Sequence, residues 1–381
     1  MTALLTHAPE YETFGINNSI FNQYKEVNKL IIVGNGFDLA HGLNSSFKDF
    51  ISDYILNVIK EFLKERIYDD SLIQISSKSD LFHITDIVSK LNKDNSIESL
   101  FKIKARSNIN FHFKFELLKS IIDNFQYKNW YDIEVIFFDL LADLVSNKEF
   151  SQISSLNEEL EFLKSKLIEY LLKQENISKC IIHEGLLNQF KSLIKKQDCL
   201  INTIEEDLVA KSFYFLNFNY TNILQKYVDE MGDFFSTINY IHGAINAELA
   251  NGQSPIFGFG DEFDKKYEKF EEENEDEAFV HIKSFKYLES NNYRNLMEFI
   301  ESNAFQVQIF GHSCGISDRT MLNKIFEHEN CISIKVYYHN VGDSNDYTKK
   351  NYSISRHFKD KSMLRNKVVN FKYCEPMIQP I

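Results

Sequence analysis

The sequence predicts an α/β fold: a Rossmann-like, mostly parallel sheet with a large all-helical insertion after its first βα unit. Short apolar segments typical of buried strands occur near the start of the chain and again beyond residue 205. Helical segments lie between several of these strands, and this alternation indicates a parallel sheet covered on both faces. Between the two groups of strands, apolar residues recur every three or four positions, as in helices. We therefore expect residues 1–60 and 206–381 to form a nucleotide-binding domain and residues 61–205 to form a helical insertion.

A turn with two glycines follows the first predicted strand. Leu30 to Val33 are aliphatic and mostly β-branched, and Gly34-Asn35-Gly36-Phe37-Asp38 comes directly after them. A strand that runs into such a turn commonly presents backbone N–H groups to a phosphate, because glycine permits close approaches that a Cβ atom forbids. The dinucleotide pattern G-x-G-x-x-G fails at Leu39, so a tight turn without a ligand also fits these glycines.

Six later segments complete the predicted sheet. Helical segments such as NILQKYVDEM and RTMLNKIFEHE separate several of them. The strand-like segments are SFYFLNF at 212–218, TINYIHG at 237–243, SPIFGFG at 254–260, FQVQIFG at 305–311, CISIKVYYH at 331–339 and KVVNFKY at 367–373.

Small polar groups, glycines and imidazoles follow the ends of four predicted strands. Ligands of open α/β sheets bind beyond the carboxyl ends of the strands, so these groups together predict a binding site. Other interpretations stay open, because a residue after SFYFLNF could cap the next helix and a lone histidine is often structural. Asp318 is interpreted as a helix N-cap. The groups beyond the first strand's turn are Asn219, Tyr220, Thr221, Asn222, His242, Gly243, Gly311, His312 and Ser313.

One helix of the predicted insertion carries a carboxylate on an apolar face. In NWYDIEVIFFDLL, Trp130 and Glu134 share a helical face with Ile133, Phe137 and Leu141. An unpaired buried carboxylate is costly. Glu134 is therefore expected either to pair with another group or to point into the cleft.

Composition and charge exclude several classes of protein. The five cysteines form no C-x-x-C pair, so we expect neither a zinc ribbon nor a disulfide framework, and no metal. The formal net charge of −13 argues against nucleic acid as a partner, and seven of these charges lie in segment 261–277, interpreted as a solvated loop or exposed helix. No apolar run is long enough to span a membrane, and MTALLTHAPEYETFG lacks the features of a signal peptide, so the expected location is cytoplasmic.

Several of these motifs resemble a known family. GNGFDLAHGLNSSFKDF is similar to the signature of the abortive-infection AbiH family of bacterial anti-phage proteins, and FNYTNIL, IHG and GHSCGISD occur in that family's order. The tryptophan followed four residues later by glutamate also resembles it. More remotely, the motif order resembles sirtuin-like NAD-hydrolysing domains. The resemblance implies an anti-phage protein that cleaves the nicotinamide–ribose bond of NAD, its substrate.

The sirtuin-like resemblance also implies roles for individual residues. His242 would be the general base, Asn219 would hold the nicotinamide ribose or the attacking water, and the backbones of Gly34 and Gly36 would face the pyrophosphate. Two residues depart from the pattern: Thr221 replaces an aspartate, and Asp38 replaces a small hydroxyl residue. A carboxylate near a pyrophosphate is repulsive, so Asp38 puts NAD in doubt. The complete expected set of binding residues is Gly34, Asn35, Gly36, Phe37, Asp38, Trp130, Glu134, Thr221, Gly311 and Ser313, with Gly311 and Ser313 on the adenosine side.

Two other functions also fit the sequence. The fold could bind a nucleotide or an ADP-ribose-type signal without turnover and report it through the insertion, to another copy of the chain or to a partner protein of a defence system. Alternatively, Gly311-His312-Ser313-Cys314-Gly315 matches the G-x-S-x-G pattern of serine hydrolases, with Ser313 as nucleophile, His357 as base and Asp343 or Asp346 as acid. The negative net charge argues against a nuclease, and the carboxylates form no cluster with the spacing of metal ligands.

Overall fold

A computed structural model describes residues 23–78, 87, 89–106, 108–127, 133–177, 181–200 and 203–380. The main sheet has five parallel strands in the order β6-β5-β1-β7-β8, with β1 in the centre. All six residues of β1 are buried, because helices cover both faces of this parallel sheet. The strands are β1 Asn28–Val33, β5 Phe213–Asn217, β6 Ser236–Tyr240, β7 Phe305–Phe310 and β8 Cys331–Tyr337.

Fourteen α-helices are found in the described part of the chain. The second begins where the side chain of Ser46 accepts a hydrogen bond from the Asp49 amide, and it ends at Arg66 in a left-handed conformation. The helices are α1 Asn35–Ala40, α2 Phe47–Glu65, α3 Ser96–Lys104, α4 Glu116–Tyr127, α5 Ile133–Asn147, α6 Ile153–Ile177, α7 Glu184–Lys191, α8 Ile223–Asp229, α9 Lys265–Glu273, α10 Lys283–Lys286, α11 Asn292–Ser302, α12 Arg319–Phe326, α13 Tyr347–Ser355 and α14 Lys361–Lys367.

The segment between β1 and β5 is not all-helical, which corrects that part of the sequence prediction. It contains an antiparallel sheet of three strands, β2 Ile67–Asp69, β3 Ile73–Ser77 and β4 Ile109–Phe113. These strands are short and half exposed, so their sequences lack the long apolar run of a buried parallel strand. A two-stranded ribbon, β9 Asn340–Val341 and β10 Ser344–Asn345, follows the main sheet.

Two of the predicted strands are also wrong. The segment 254–260 contributes only an isolated bridge between Phe259 and Ile282, and 367–373 contributes a bridge from Val368 to Ile334 followed by a short 3-10 turn. Each segment forms one β-bridge and no strand. The other five predicted strands are confirmed.

The hydrophobic core has three large parts. One lies on each face of the main sheet: Leu30 and Ile32 of β1 point into the first, and Ile31 and Val33 point into the second. The third packs α2 against the inserted helices and their small sheet, and it also takes in side chains from 257–282. Among the described helices, none combines the length and apolar character that crossing a membrane requires.

Candidate functional site

A cavity of about 450 Å³ lies at the carboxyl ends of the central strands. It is next to the point where the strand order reverses, between β1 and β7, which is where open α/β sheets bind ligands. Residues after β1, β5, β6 and β7 line it, together with α5 and α6 of the inserted segment. A larger cavity of about 830 Å³, between 251–257 and 286–295, contains none of the residues predicted from the strand ends.

The first turn of α1, directly after β1, and the loop after β7 approach each other closely at glycines. A Cβ atom on Gly34 would lie 2.6 Å from Cα of His312, and one on Gly36 would lie 2.8 Å from Cα of Gly311. Gly311 itself has φ +67°. The amide of Gly34 donates to the carbonyl of Phe310, and that of Gly36 donates to the carbonyl of Gly311. These two N–H groups therefore do not point to a phosphate, and the glycines serve the close approach of the loops.

Asp38 fixes the two polar residues that follow β5. Its carboxylate accepts hydrogen bonds from Nδ2 of Asn219 at 2.8 Å and from the hydroxyl of Thr221 at 2.6 Å. Asn219 also donates to the carbonyl of Gly34. Burial raises the pKa of Asp38 to about 7, although the hydrogen bonds from Thr221 and Asn219 oppose that change. The two residues that depart from the sirtuin-like pattern, Asp38 and Thr221, therefore bond to each other.

His242 lies in a buried cluster of charged groups. Its Nε2 is 3.2 Å from Oδ1 of Asp318 and 3.0 Å from the hydroxyl of Tyr287. Nζ of Lys283 donates to Asp318 at 2.9 Å and to Glu134 at 2.8 Å. Asp318 is thus more than the helix cap that its sequence context suggests: α12 begins after it, but its side chain makes no capping hydrogen bond.

The pKa values in the cluster follow from burial and charge. Burial lowers the pKa of His242, and the Lys283 cation lowers it further, while Asp318 raises it. Burial alone would raise the pKa of Asp318, but Lys283 and His242 hold it well below its usual range. At neutral pH the cluster therefore contains an ionised carboxylate beside a neutral imidazole. Among the described residues, no hydrogen bond is made by Nδ1 of His242. If Nε2 carries the proton toward Asp318, Nδ1 holds the lone pair.

A second histidine lines the cavity beside the first. The amide of Cys314 donates to Nδ1 of His312, so the proton of this neutral imidazole is on Nε2, which is 3.8 Å from Oδ2 of Asp318. Burial lowers the pKa of His312 to about 3. The ring of Phe218 packs against both imidazoles, with its centroid 5.0 Å from that of His242 and 4.1 Å from that of His312.

The proposed serine-hydrolase residues do not form a triad. Ser313 is exposed and lines the cavity, but His357 is buried and its Nε2 bonds to the carbonyl of Cys314. Asp346 accepts from the amide of His339. Among the described contacts, none joins Ser313 to His357. A 3-10 turn separates the serine from α12, unlike the strand–serine–helix arrangement of a nucleophile elbow.

Most of the predicted site residues meet at this cavity. Asn219 and His242 both line it, together with Gly34, Asn35, Gly36, Asp38, Glu134, Thr221, Gly311 and Ser313. Phe37 differs, because its side chain is fully buried and packs against His41, Phe190 and Tyr227. Glu134 is paired, with Lys283 and with the amide of Gly258. Trp130 lies outside the described residues.

Sequence reasoning missed Lys283, Tyr287 and Lys350. The first two come from HIKSFKYLE, which follows no strand of the sheet and contains no recognisable motif. Lys350 of α13 donates to the carbonyl of His312 and lines the cavity near Ser313. The four-residue spacing of Lys283 and Tyr287 places them on one helical face, but it does not indicate where that face points.

The comparisons with known proteins agree with the motifs. None of the curated proteins compared with the chain matches it. The family model described as bacteriophage abortive infection AbiH matches residues 30–339. This range runs from β1 to just beyond β8 and includes the whole charged cluster around His242. The chain therefore belongs to the AbiH family and has its role in bacterial abortive infection against phage.

Proposed function

We propose that this protein is an NAD hydrolase that cleaves the nicotinamide–ribose bond, with His242 as general base. The observation that carries the proposal is the meeting of His242, held by Asp318, and Asn219, held by Asp38, at one cavity beside the reversal of strand order. No metal takes part in the proposed step.

The proposed reaction requires a base but no general acid. Water attacks C1′ of the ribose, the bond from C1′ to the pyridinium nitrogen breaks, and that nitrogen takes the electron pair. Nicotinamide then leaves as a neutral molecule, and the proton of the water passes to His242. A positioned imidazole of this kind contributes about 100- to 10,000-fold to a rate. With its pKa lowered, His242 is in the neutral, proton-accepting form at pH 7.

The charge distribution fits the transition state. Cleavage develops positive charge on the ribose ring, as in other glycosidic reactions. Two carboxylates, Glu134 and Asp318, share one ammonium, Lys283, so these three groups carry one net negative charge (−2 + 1) beside His242. This charge favours the developing cation electrostatically.

Asp38 no longer argues against NAD. The repulsion expected between its carboxylate and a pyrophosphate requires that the charge face the ligand. Both oxygens instead accept hydrogen bonds from Asn219 and Thr221, and the side chain is buried. Lys350 supplies a cation in the lining of the cavity, where it donates to the carbonyl of His312. We place the pyrophosphate toward Lys350 and the nicotinamide ribose toward His242.

The test is to incubate the full chain with NAD and to measure nicotinamide and ADP-ribose by chromatography. His242→Ala is compared with His328→Ala, because His328 is also a buried histidine with a carboxylate beside it, that of Glu301 at 3.2 Å, and it is not among the residues that line the cavity. We expect release by the wild type and by His328→Ala, and at least about 100-fold less by His242→Ala.

Binding measurements separate the remaining functions. If NAD raises the melting temperature but no nicotinamide appears, the chain is better described as a nucleotide-binding sensor. If NAD is neither cleaved nor bound, the proposal is wrong.

A further inference from the structure

A buried lysine joins the inserted segment to the candidate base. Lys283 is 1% exposed, and its ammonium lies between Glu134 of α5 and Asp318, which precedes α12. Asp318 in turn contacts Nε2 of His242. The chain of contacts Glu134–Lys283–Asp318–His242 therefore runs from the inserted segment into the cavity.

The backbone around Lys283 is held in place. Its amide donates to the carbonyl of Phe259 at 2.9 Å, and the amide of Phe259 donates to the carbonyl of His281. Tyr287 is four residues further on, so both side chains leave the same face of one helical turn. Lys283 reaches Asp318, and Tyr287 reaches His242.

The ammonium also decides the charge next to His242. The charged and titratable groups that face this imidazole are Asp318, Tyr287, Lys283 and His312. Tyr287 is neutral because burial raises its pKa well above the usual range, and His312 is neutral because burial lowers its pKa. Asp318 and Lys283 therefore control the proton affinity of His242, and Glu134 acts on it through Lys283. A positive neighbour lowers that affinity and a negative one raises it.

We propose that Lys283 is a positioning residue that holds Asp318 against His242 and, through Glu134, makes the protonation of His242 depend on where α5 of the inserted segment lies. This inference rests on the proposed function only for the role of His242 as a base. A movement of α5 away from Lys283 breaks the ion pair between Glu134 and Lys283. The proton affinity of His242 then falls, and Lys283 keeps Asp318 as its only carboxylate partner.

Three variants test the contacts Glu134–Lys283–Asp318 by changing the charge of these groups without adding bulk. Lys283→Met leaves two carboxylates, Glu134→Gln leaves one ion pair, and the double variant leaves Asp318 alone with the wild-type net charge of −1. The readout is an NMR titration of His242 in the full chain without NAD, its signal assigned by its absence from His242→Ala.

The two single variants are expected to move the titration in opposite directions. Lys283→Met raises the proton affinity of His242 about tenfold or more, Glu134→Gln lowers it, and the double variant returns it to within about threefold of wild type. A lysine that only supported the fold would not return the proton affinity of His242 to the wild-type value in the double variant. If Lys283→Met is unfolded, Glu134→Gln and the double variant still test the direction in which the proton affinity of His242 changes.

Activity gives a second, independent readout. In a nicotinamide-release assay, the acidic limb of the pH–rate profile should move to higher pH in Lys283→Met and to lower pH in Glu134→Gln. The proposal is overturned if both single variants shift His242 in the same direction, or if Lys283→Met leaves its titration unchanged. An absence of nicotinamide release by the wild type refutes the proposed function alone, because the NMR titration needs no NAD.

Discussion

Replacing Gly311 by alanine should destabilise the protein through the contact between two loops. Gly311 follows β7, has φ +67° and faces the first turn of α1. A Cβ atom there would lie 2.3 Å from the amide nitrogen of Phe37 and 2.6 Å from the carbonyl carbon of Gly36. Both atoms are backbone, so no side-chain rotation relieves the overlap.

The magnitude has two parts. The left-handed conformation costs an alanine about 1–2 kcal/mol. Forcing the two backbones apart costs about 1–3 kcal/mol more, the range for overpacked sites. We therefore expect Gly311→Ala to lower the free energy of unfolding by about 2–5 kcal/mol.

Gly342→Ala is the matched control. This glycine also has positive φ, +57°, but a Cβ atom there would meet nothing within 4 Å. It should therefore show the conformational cost alone. Urea denaturation of both variants, compared at equal m values, gives the contact contribution as the difference between them.

Equal losses for the two variants would refute the close approach of these two segments. A larger loss for Gly311→Ala that also abolishes binding of NAD would show that the loop contact shapes the cavity. Such a loss with unchanged binding would limit the role of Gly311 to stability.

Three further predictions concern the cavity. Because the folded-state pKa of Asp38 is raised to about 7, its protonated form stabilises the protein at low pH, and that stabilisation is lost as pH rises from about 4 to 7. In urea titrations, the free energy of unfolding of Asp38→Asn should therefore increase relative to that of the wild type over this pH range. A difference that does not change with pH would contradict the burial of this carboxyl. The rate of nicotinamide release should fall only below the ordinary titration range of histidine, since the pKa of His242 is lowered; an acidic limb above about pH 6.5 would contradict this. Ser313→Ala should change KM while leaving kcat within about threefold, whereas a loss above about 100-fold would favour a serine nucleophile.

The sequence predicted the main sheet because four of its five strands, β1, β5, β7 and β8, are buried along their whole length. Such strands are continuous apolar runs, as in Leu30 to Val33, and they are distinct from the helices around them. The small antiparallel sheet was missed because Ile67–Asp69 and Ile109–Phe113 are short and partly exposed. KVVNFKY at 367–373 has the composition of a strand, but only Val368 pairs with the sheet. The composition of a segment does not reveal whether an edge of the sheet is open to pair with it as a further strand.

Apart from Glu134, which the apolar face of its helix indicated, the candidate site was predicted only where it follows strands. The carboxyl ends of parallel strands meet at one edge, so residues as distant as Gly34 and His242 could be grouped from the sequence. Lys283 reaches the site from a helical turn, and no local pattern indicates such a tertiary contact. Asp318 was found but assigned the commoner role of a cap, because its partners are remote in sequence.

The hydrogen bond between Asp38 and Thr221 makes the residue type at either position depend on the other. An aspartate at 221 would bury two carboxylates side by side, and a serine at 38 would leave one hydroxyl where two carboxylate oxygens now accept from Asn219 and Thr221. A single substitution at either position therefore leaves a buried polar group without its present partner. A complementary pair returns only when both positions change together, so the two residues act as one chemical unit.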